Sequence, residues 1–392
     1  MSYIGKTPTS VPLTSSDITD GIITTTKIAD ANVTNPKLIS GSQQNFRNII
    51  INGDMSIAQR ATSVSSITSD NAIHTLDRYR TRLTTLGTWT QSQSTTVPSG
   101  QGFATSLKMD CTSADASPAA GDRLFITQRF EGQMLQYLKK GTSNAQSLTL
   151  SFWVRSNKTG TYICELFDQD NSRHINKSYT ISVANTWEKK EITFAGDTTG
   201  AFGNDNANSL ECAWWLGAGT TYTSGTLQTS WGSSTNANRA VGQVNLADST
   251  SNEWYVTGVQ LEAGTTASDF EFLPVDVNLR RCQRYYYLHA DGASSNKRVF
   301  SGGAYNGSLI DGTVFFPTTM RANPTLEAVS GTDYYKAYGN GTNDAFNDFV
   351  IEESNINSAG IRNSATFSGT QGMSYFVITI STSAKISFNS EL

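Results

Sequence analysis

Charge is scarce in this chain. Only 16% of its 392 residues are Asp, Glu, Lys or Arg, and they sum to −4 at pH 7. A nucleic-acid surface needs a basic patch that releases counterions from phosphates. The densest basic cluster, Arg280, Arg281 and Arg284, is too small for that and suits a short helix or a strand edge, so no nucleic-acid partner is expected. Histidine is scarcer still: His74, His174 and His289 stand at no ligand spacing, HExxH does not occur, and no zinc site is expected. Cys111, Cys164, Cys212 and Cys282 form no CxxC pair. In their apolar or strand-like surroundings they read as buried small hydrophobes of a protein made in a reducing cytoplasm. No run of about 20 apolar residues exists, which excludes a membrane-spanning helix, and no membrane insertion is expected. The first ten residues lack the basic region and apolar core of a secretory signal. A GxSxG elbow and a phosphate-loop lysine are also missing. So are the long Ala, Leu, Glu and Lys stretches that helices prefer.

What is present points one way. Ser, Thr, Asn and Gly dominate, and aromatic residues reach 10%. Threonine and aromatics with few charges favour strands, and 32 glycines against eight prolines supply short turns. The expected fold class is all-β.

Residues 10–39 form a repeat of period ten, SVPLTSSDIT, DGIITTTKIA and DANVTNPKLI. Leu13, Ile23 and Val33 align in one apolar column and Ile18, Ile28 and Leu38 in a second, so an apolar residue recurs every five positions. That is neither the period of a helix nor that of a strand, and a fixed short period signals a repeat architecture. Two buried-type side chains per unit cannot offset a backbone ordering cost of about 1–2 kcal/mol per residue. To be ordered the segment needs cover, most simply from its own copies; a flexible Ser/Thr linker is the alternative. More than one chain is required, and an intertwined homotrimer is the expected symmetry.

The chain then divides, by expectation, into an extended attachment and trimerisation segment (1–44), a β-sandwich (45–275) and a smaller, distal β-sandwich (276–392). NIIINGDMSIAQR reads as strand, tight turn, strand, and the polar stretch 61–72 as a loop. Strands are expected at 76–83, 88–95, 103–109 and 123–130. The clearest block is 146–194, where Leu148, Leu150, Phe152 and Val154 alternate inward. Strands follow at 210–219 and 253–264, around a long polar loop at 220–240. NLRRCQRYYYLHA begins as a helical turn and becomes an aromatic strand, and short strands between Gly/Asn turns fill the remainder.

Catalytic constellations are hard to find, and no enzyme activity is expected. Paired carboxylates such as Asp168 with Asp170, or Glu352 with Glu353, could hydrolyse a glycoside if set about 5–9 Å apart, but any β-sandwich holds such pairs by chance. DQDN (168–171) and FGNDNAN (202–208) offer oxygens suited to a hard cation. No cofactor is expected beyond a structural Ca²⁺ at these turns, where solvated loops are the simpler reading. Aromatics beside amides are more informative. A sugar presents an apolar C–H face to a ring and hydroxyls to Asn, Gln or Arg. Candidate glycan-binding residues are Tyr222, Trp231, Asn236 and Arg239 in the first sandwich. In the second they are Tyr334, Tyr335 and Tyr338, beside Asn340 and Asn343. Trp153, Trp187, Trp214, Trp215 and Trp254 lie in strand-like runs and are expected in the core or an interface.

Several stretches together resemble a family. DGIITTTKIADANVTNPKL resembles N-terminal segments of bacteriophage tail-fibre and related virion proteins, especially of marine phages. NIIINGDMSIAQR, LDRYR, SLTLSFWVRSNKTGTY, TWEKKEITFAGDTTG and WYVTGVQLEAGTTASDFEFLPVDVNLRRCQRYY are similar to that family's jelly-roll domain, and KISFNSEL to its closing strand. Tyr79 departs from an expected Trp, and Asn389-Ser390 from Asp-Ala. The resemblance implies a homotrimeric virion fibre assembled in the host cytoplasm. Its residues 1–40 would dock on tail, baseplate or neck proteins, and its distal β-domains would face a host cell-surface glycan. It implies no catalytic residues. The alternatives are a purely structural neck or head fibre, adaptor or capsid decoration and, less favoured, a polysaccharide depolymerase.

Overall fold

The computed structural model describes residues 46–292, 296–339, 341–364 and 366–392. The repeat positions Leu13, Ile18, Ile23, Ile28, Val33 and Leu38, and also Asn340, lie outside the described residues. Among the described residues helix is confined to short pieces, and every strand ladder is antiparallel.

The first body contributes β1 (Ser63–Ile67), β2 (Asp70–Ala72), β3 (Arg80–Thr84), β4 (Thr88–Ser94), β5 (Ser106–Ser113) and β6 (Arg123–Glu131). There follow β7 (Leu148–Ser156), β8 (Gly160–Asp168), β9 (Arg173–Ile181), β10 (Glu188–Phe194) and β11 (Asn208–Ala218). The one-turn helix α1 (Thr220–Thr223), β12 (Gly232–Ser233) and β13 (Glu253–Ala263) complete it. A six-stranded sheet runs β1-β4-β5-β13-β7-β10, and a seven-stranded sheet runs β12-β9-β8-β11-β6-β3-β2. Chain neighbours are seldom sheet neighbours, the crossing pattern of a jelly-roll-like sandwich. Period-two alternation fills the space between the sheets. Leu150, Phe152 and Val154 on β7 meet Leu210, Cys212, Trp214 and Leu216 on β11, with Trp254 and Val256 on β13. Phe152 lies edge-on to Trp214, with centroids 6.0 Å apart. Each such side chain contributes about 1.5–3 kcal/mol on full burial. All four cysteines are buried thiols, and Trp214, Trp215 and Trp254 are fully buried, while Trp153 and Trp187 are half-buried.

Two local expectations are corrected. The stretch 61–72 is not a loop but carries β1 and β2, each at the edge of its sheet. Edge strands bury little, so polar residues fill them and the alternation signal fades. Conversely, Ile49–Ile51 forms no strand. Its N–H groups are met individually: Ile49 donates to Leu261 O (2.8 Å), Ile50 to Asn48 Oδ1 (3.0 Å) and Ile51 to Gln128 Oε1 (2.7 Å). Gly53 then passes so close to β13 that a Cβ there would lie 2.1 Å from Val259 O.

The second body begins with α2 (Val275–Gln283) and β14 (Tyr286–Asp291). It continues with β15 (Arg298–Ala304), β16 (Ile310–Phe315), β17 (Thr325–Ala328), β18 (Tyr335–Gly339) and β19 (Thr342–Phe346). It ends with β20 (Val350–Ser354), β21 (Ser358–Arg362), β22 (Ser374–Thr379) and β23 (Lys385–Asn389). A three-stranded sheet, β14-β23-β17, and a seven-stranded sheet, β19-β18-β22-β15-β16-β21-β20, enclose a second core that includes Phe300, Tyr335, Phe346, Phe349 and Phe388.

Arg47–Leu392 nevertheless form one compact unit, because charged groups stitch the two cores together. Arg284 donates to both oxygens of Glu131 (2.8 and 2.6 Å), and Tyr285 Oη donates to Glu131 Oε1 (2.5 Å). Buried Arg78 pairs with Glu391 and lies 3.5 Å over the Tyr285 ring. Arg321 Nη1 donates to Asn206 O (3.0 Å) and Arg129 Nη1 to Leu392 O (2.9 Å).

Candidate functional site

The sequence-predicted aromatics separate into two groups. In the first body, the outer face of β6, β8 and β11 carries Phe125, Ile163 and Trp215, a patch that needs cover. The 220–240 loop supplies it, so Tyr222 becomes part of a small core with them and Ala240. Its ring is 5.4 Å from Trp215, and its hydroxyl accepts from Arg123 Nη1 (2.8 Å). Arg239 faces inward too. Its Nε and Nη2 donate to Glu165 Oε1 and Oε2 (2.7 and 2.8 Å), and its guanidinium lies over the Phe167 and Trp215 rings, 5.0 and 5.2 Å away. Burial would push the Glu165 carboxyl up; Arg239 and His174 more than offset this and hold it at about 2. Tyr222 and Arg239 are thus withheld from solvent by the packing of their own loop. Asn236 stays exposed on a turn of 3-10 helix. Trp231 is half-buried; its Nε1 donates to Ala195 O (2.7 Å), and Lys140 Nζ stands 5.5 Å from its ring. Lys140 and Phe202 also line a hollow of about 400 Å³ with Gln136, Thr142 and Asn144.

The two oxygen-rich turns meet. Asp168 is fully buried and pairs with Lys140 Nζ (2.5 Å), which also reaches Asp197 (3.1 Å). Asp170 Oδ2 accepts from Gly203 N (2.8 Å), and Asp205 Oδ1 from Ala207 N (3.0 Å). Among the described residues no group of three His, Cys, Asp or Glu side chains is placed to hold a metal ion. Glu352 pairs with Arg362 at 3.5 Å on the surface.

In the second body, strand parity sorts the tyrosines. Tyr335 points into the core, fully buried, and donates from Oη to Val329 O (2.7 Å). Tyr334 packs half-buried against the same core. Tyr338, three residues after Tyr335, faces the other way. Register sets it opposite Asn343 on β19 and Phe376 on β22, and Phe376 opposite Ser301 on β15. A row Asn343–Tyr338–Phe376–Ser301 thus crosses four strands on the outer face. The Tyr338 and Phe376 rings are near-parallel, 13° and 5.1 Å apart, and Phe376 is 37% exposed. Arg298 lies 4.1 Å over the Phe376 ring, and Lys336 Nζ 5.8 Å from the Tyr338 ring. Tyr338, Phe376, Arg298, Asn343, Ser301 and Ser374 line an open groove of about 610 Å³. The arrangement combines apolar rings, a carboxamide, hydroxyls and two cations, which suits a polyhydroxylated ring better than a purely apolar ligand. Phe376, Arg298 and Ser301 were missed from sequence, although alternation in SYFVIT sets Phe376 on the face opposite Tyr375 and Val377.

The fold is an all-β, two-body protein led by a jelly-roll-like sandwich. No family model matches the sequence, and no curated protein matches it. Solved structures with partial likeness include the enzymatically active domain of tailspike protein 4 of bacteriophage CBA120, at 14% identity and a TM-score of 0.29, covering 55% of this chain and 21% of that one. This chain therefore spans about a fifth of the length of that enzymatically active domain. Others are TmCBM61 in complex with β-1,4-galactotriose, at 9% identity and a TM-score of 0.27, covering 55% of this chain and 99% of that one. A family 11 carbohydrate-binding module from Clostridium thermocellum, in complex with a β-1,3-1,4-mixed-linked tetrasaccharide, has 12% identity and a TM-score of 0.25, covering 53% and 99%.

Proposed function

We propose that this chain is a bacteriophage virion fibre protein that binds a glycan on the host surface and catalyses no reaction. Residues 1–44 hold three copies together and dock them on a tail, baseplate or neck protein; the β bodies are displayed beyond. The observation that carries the recognition role is the outward-facing pair of half-buried Tyr338 and exposed Phe376 in its polar groove, on the outer face of a sheet whose inner face already fills the core. The attachment role rests on the apolar columns of residues 10–39 and on the resemblance of those residues to virion fibre segments. Weak sugar sites suffice here. Three per fibre, times several fibres, raise avidity by a factor of about 10²–10⁴ without new contacts.

The test is adsorption. Purified full-length chain should label host cells and compete with virions for adsorption, and Tyr338→Ala should weaken both. If virions carrying that substitution adsorb normally, the chain is a structural neck or head fibre or a decoration protein. Release of oligosaccharide from host polysaccharide by the purified chain would make it a depolymerase instead.

A further inference from the structure

The charge around the groove says more than its shape. Although the chain is net negative, the described residues lining the groove include no carboxylate. Arg298 and Lys336 stand in the row next to the aromatic one, on either side of Ile378, which is the register partner of both. With strands about 4.8 Å apart, the two cations are spaced by about 10 Å at the backbone, near the length of a disaccharide. Both reach toward the rings. Among the described residues neither has an ion-pair partner, whereas Arg155, Arg173, Arg239 and Arg284 all pair with carboxylates. Asp311, the nearest acid on that face by register, lies a strand further out, opposite Arg362. A stacked guanidinium keeps its N–H edge free, the geometry that grips a carboxylate or sulfate oxygen pair.

We infer that the groove selects acidic glycans, with Tyr338 and Phe376 stacking on the sugar and Arg298 and Lys336 pairing with carboxylate or sulfate-ester groups on neighbouring residues of the polymer. This rests on the glycan-binding reading above and narrows it to a ligand class. Exposed ion pairs are individually weak, each a few-fold in affinity, so two of them give a preference of about tenfold that falls as salt rises.

The test uses the full-length chain and matched polymers: polygalacturonate against its carboxyl-reduced form, and dextran sulfate against dextran. Affinity is measured by calorimetry at low and at physiological salt. The inference predicts about tenfold tighter binding of at least one acidic polymer than of its neutral partner. It also predicts that Arg298→Gln with Lys336→Gln removes this preference while residual neutral-sugar binding persists, and that Tyr338→Ala weakens acidic and neutral forms alike. Which acidic polymer wins distinguishes carboxylate from sulfate. Equal affinity within both pairs overturns the acidic preference and leaves glycan binding standing. Binding to none of the four, with no host-cell labelling, overturns both. A mass that depends on Arg298 in light scattering would assign the face to a second copy of the chain and overturn the inference as well. Because both cations are on the surface, the double variant should keep the wild-type melting temperature, which separates lost recognition from lost folding.

Discussion

Tyr335 and Tyr338 share one strand and have opposite fates, since an odd separation in a strand reverses the face. The buried one holds the core and the outward one is free to bind. Tyr338→Ala should therefore lower glycan affinity about tenfold, or ~1.4 kcal/mol, while costing only about 0.5–1.5 kcal/mol of stability for its ring pair. Calorimetry and urea unfolding of one preparation would check both. Tyr335→Ala should cost about 3–5 kcal/mol instead, by leaving a cavity. Glu165 makes a residue-scale prediction in pH. Its carboxyl is held at about 2 against an ordinary 4.5. Its contribution is therefore fully present above pH 4.5 and is lost as pH falls toward 2, on the order of 3 kcal/mol in all. Asp77 has the opposite sign. Burial pushes it from 3.8 to about 6, even with Arg60 and Gln59 beside it. Its contribution is largest below pH 3.8 and is lost as pH rises through 6. Urea midpoints between pH 2 and 7 should lose the acid-limb slope in Glu165→Gln and the upper-limb fall in Asp77→Asn.

At the scale of elements, the strands with one buried face were legible: β7, β8, β11 and β13 lie close to where alternation put them. Elements that bury little, or that satisfy their backbone without a ladder, were not. β1 and β2 are polar because they are edges. The apolar Ile49–Ile51 run mimics a strand, yet its N–H groups end on Asn48, Gln128 and Leu261, partners distant in sequence except for Asn48. Gly53→Ala puts a methyl against the Val259 carbonyl and should cost about 1–3 kcal/mol, read as a lowered urea midpoint without a change in slope. The same distinction explains the 220–240 loop. Its composition looked like a binding loop, but Tyr222 and Arg239 are consumed in covering Phe125, Ile163 and Trp215, and Trp231 packs half-buried against the main core.

Across the whole molecule, the seam is where the two bodies depend on each other. Glu391→Gln would leave the buried Arg78 guanidinium unpaired and should cost about 3–5 kcal/mol, with both bodies melting together in one calorimetric transition. The proposed division of labour predicts a trimer for the full chain and a smaller species for residues 45–392 in light scattering. Sequence alone was enough to establish an all-β protein, buried thiols and the main inward-facing strand positions. These follow from local periodicity and composition, which each segment carries within itself. Only tertiary structure decided which aromatics are available. Solvent access depends on what packs over a side chain, and that neighbour can lie far away in the chain, as Phe376 does from Tyr338 and as Arg239 does from Glu165.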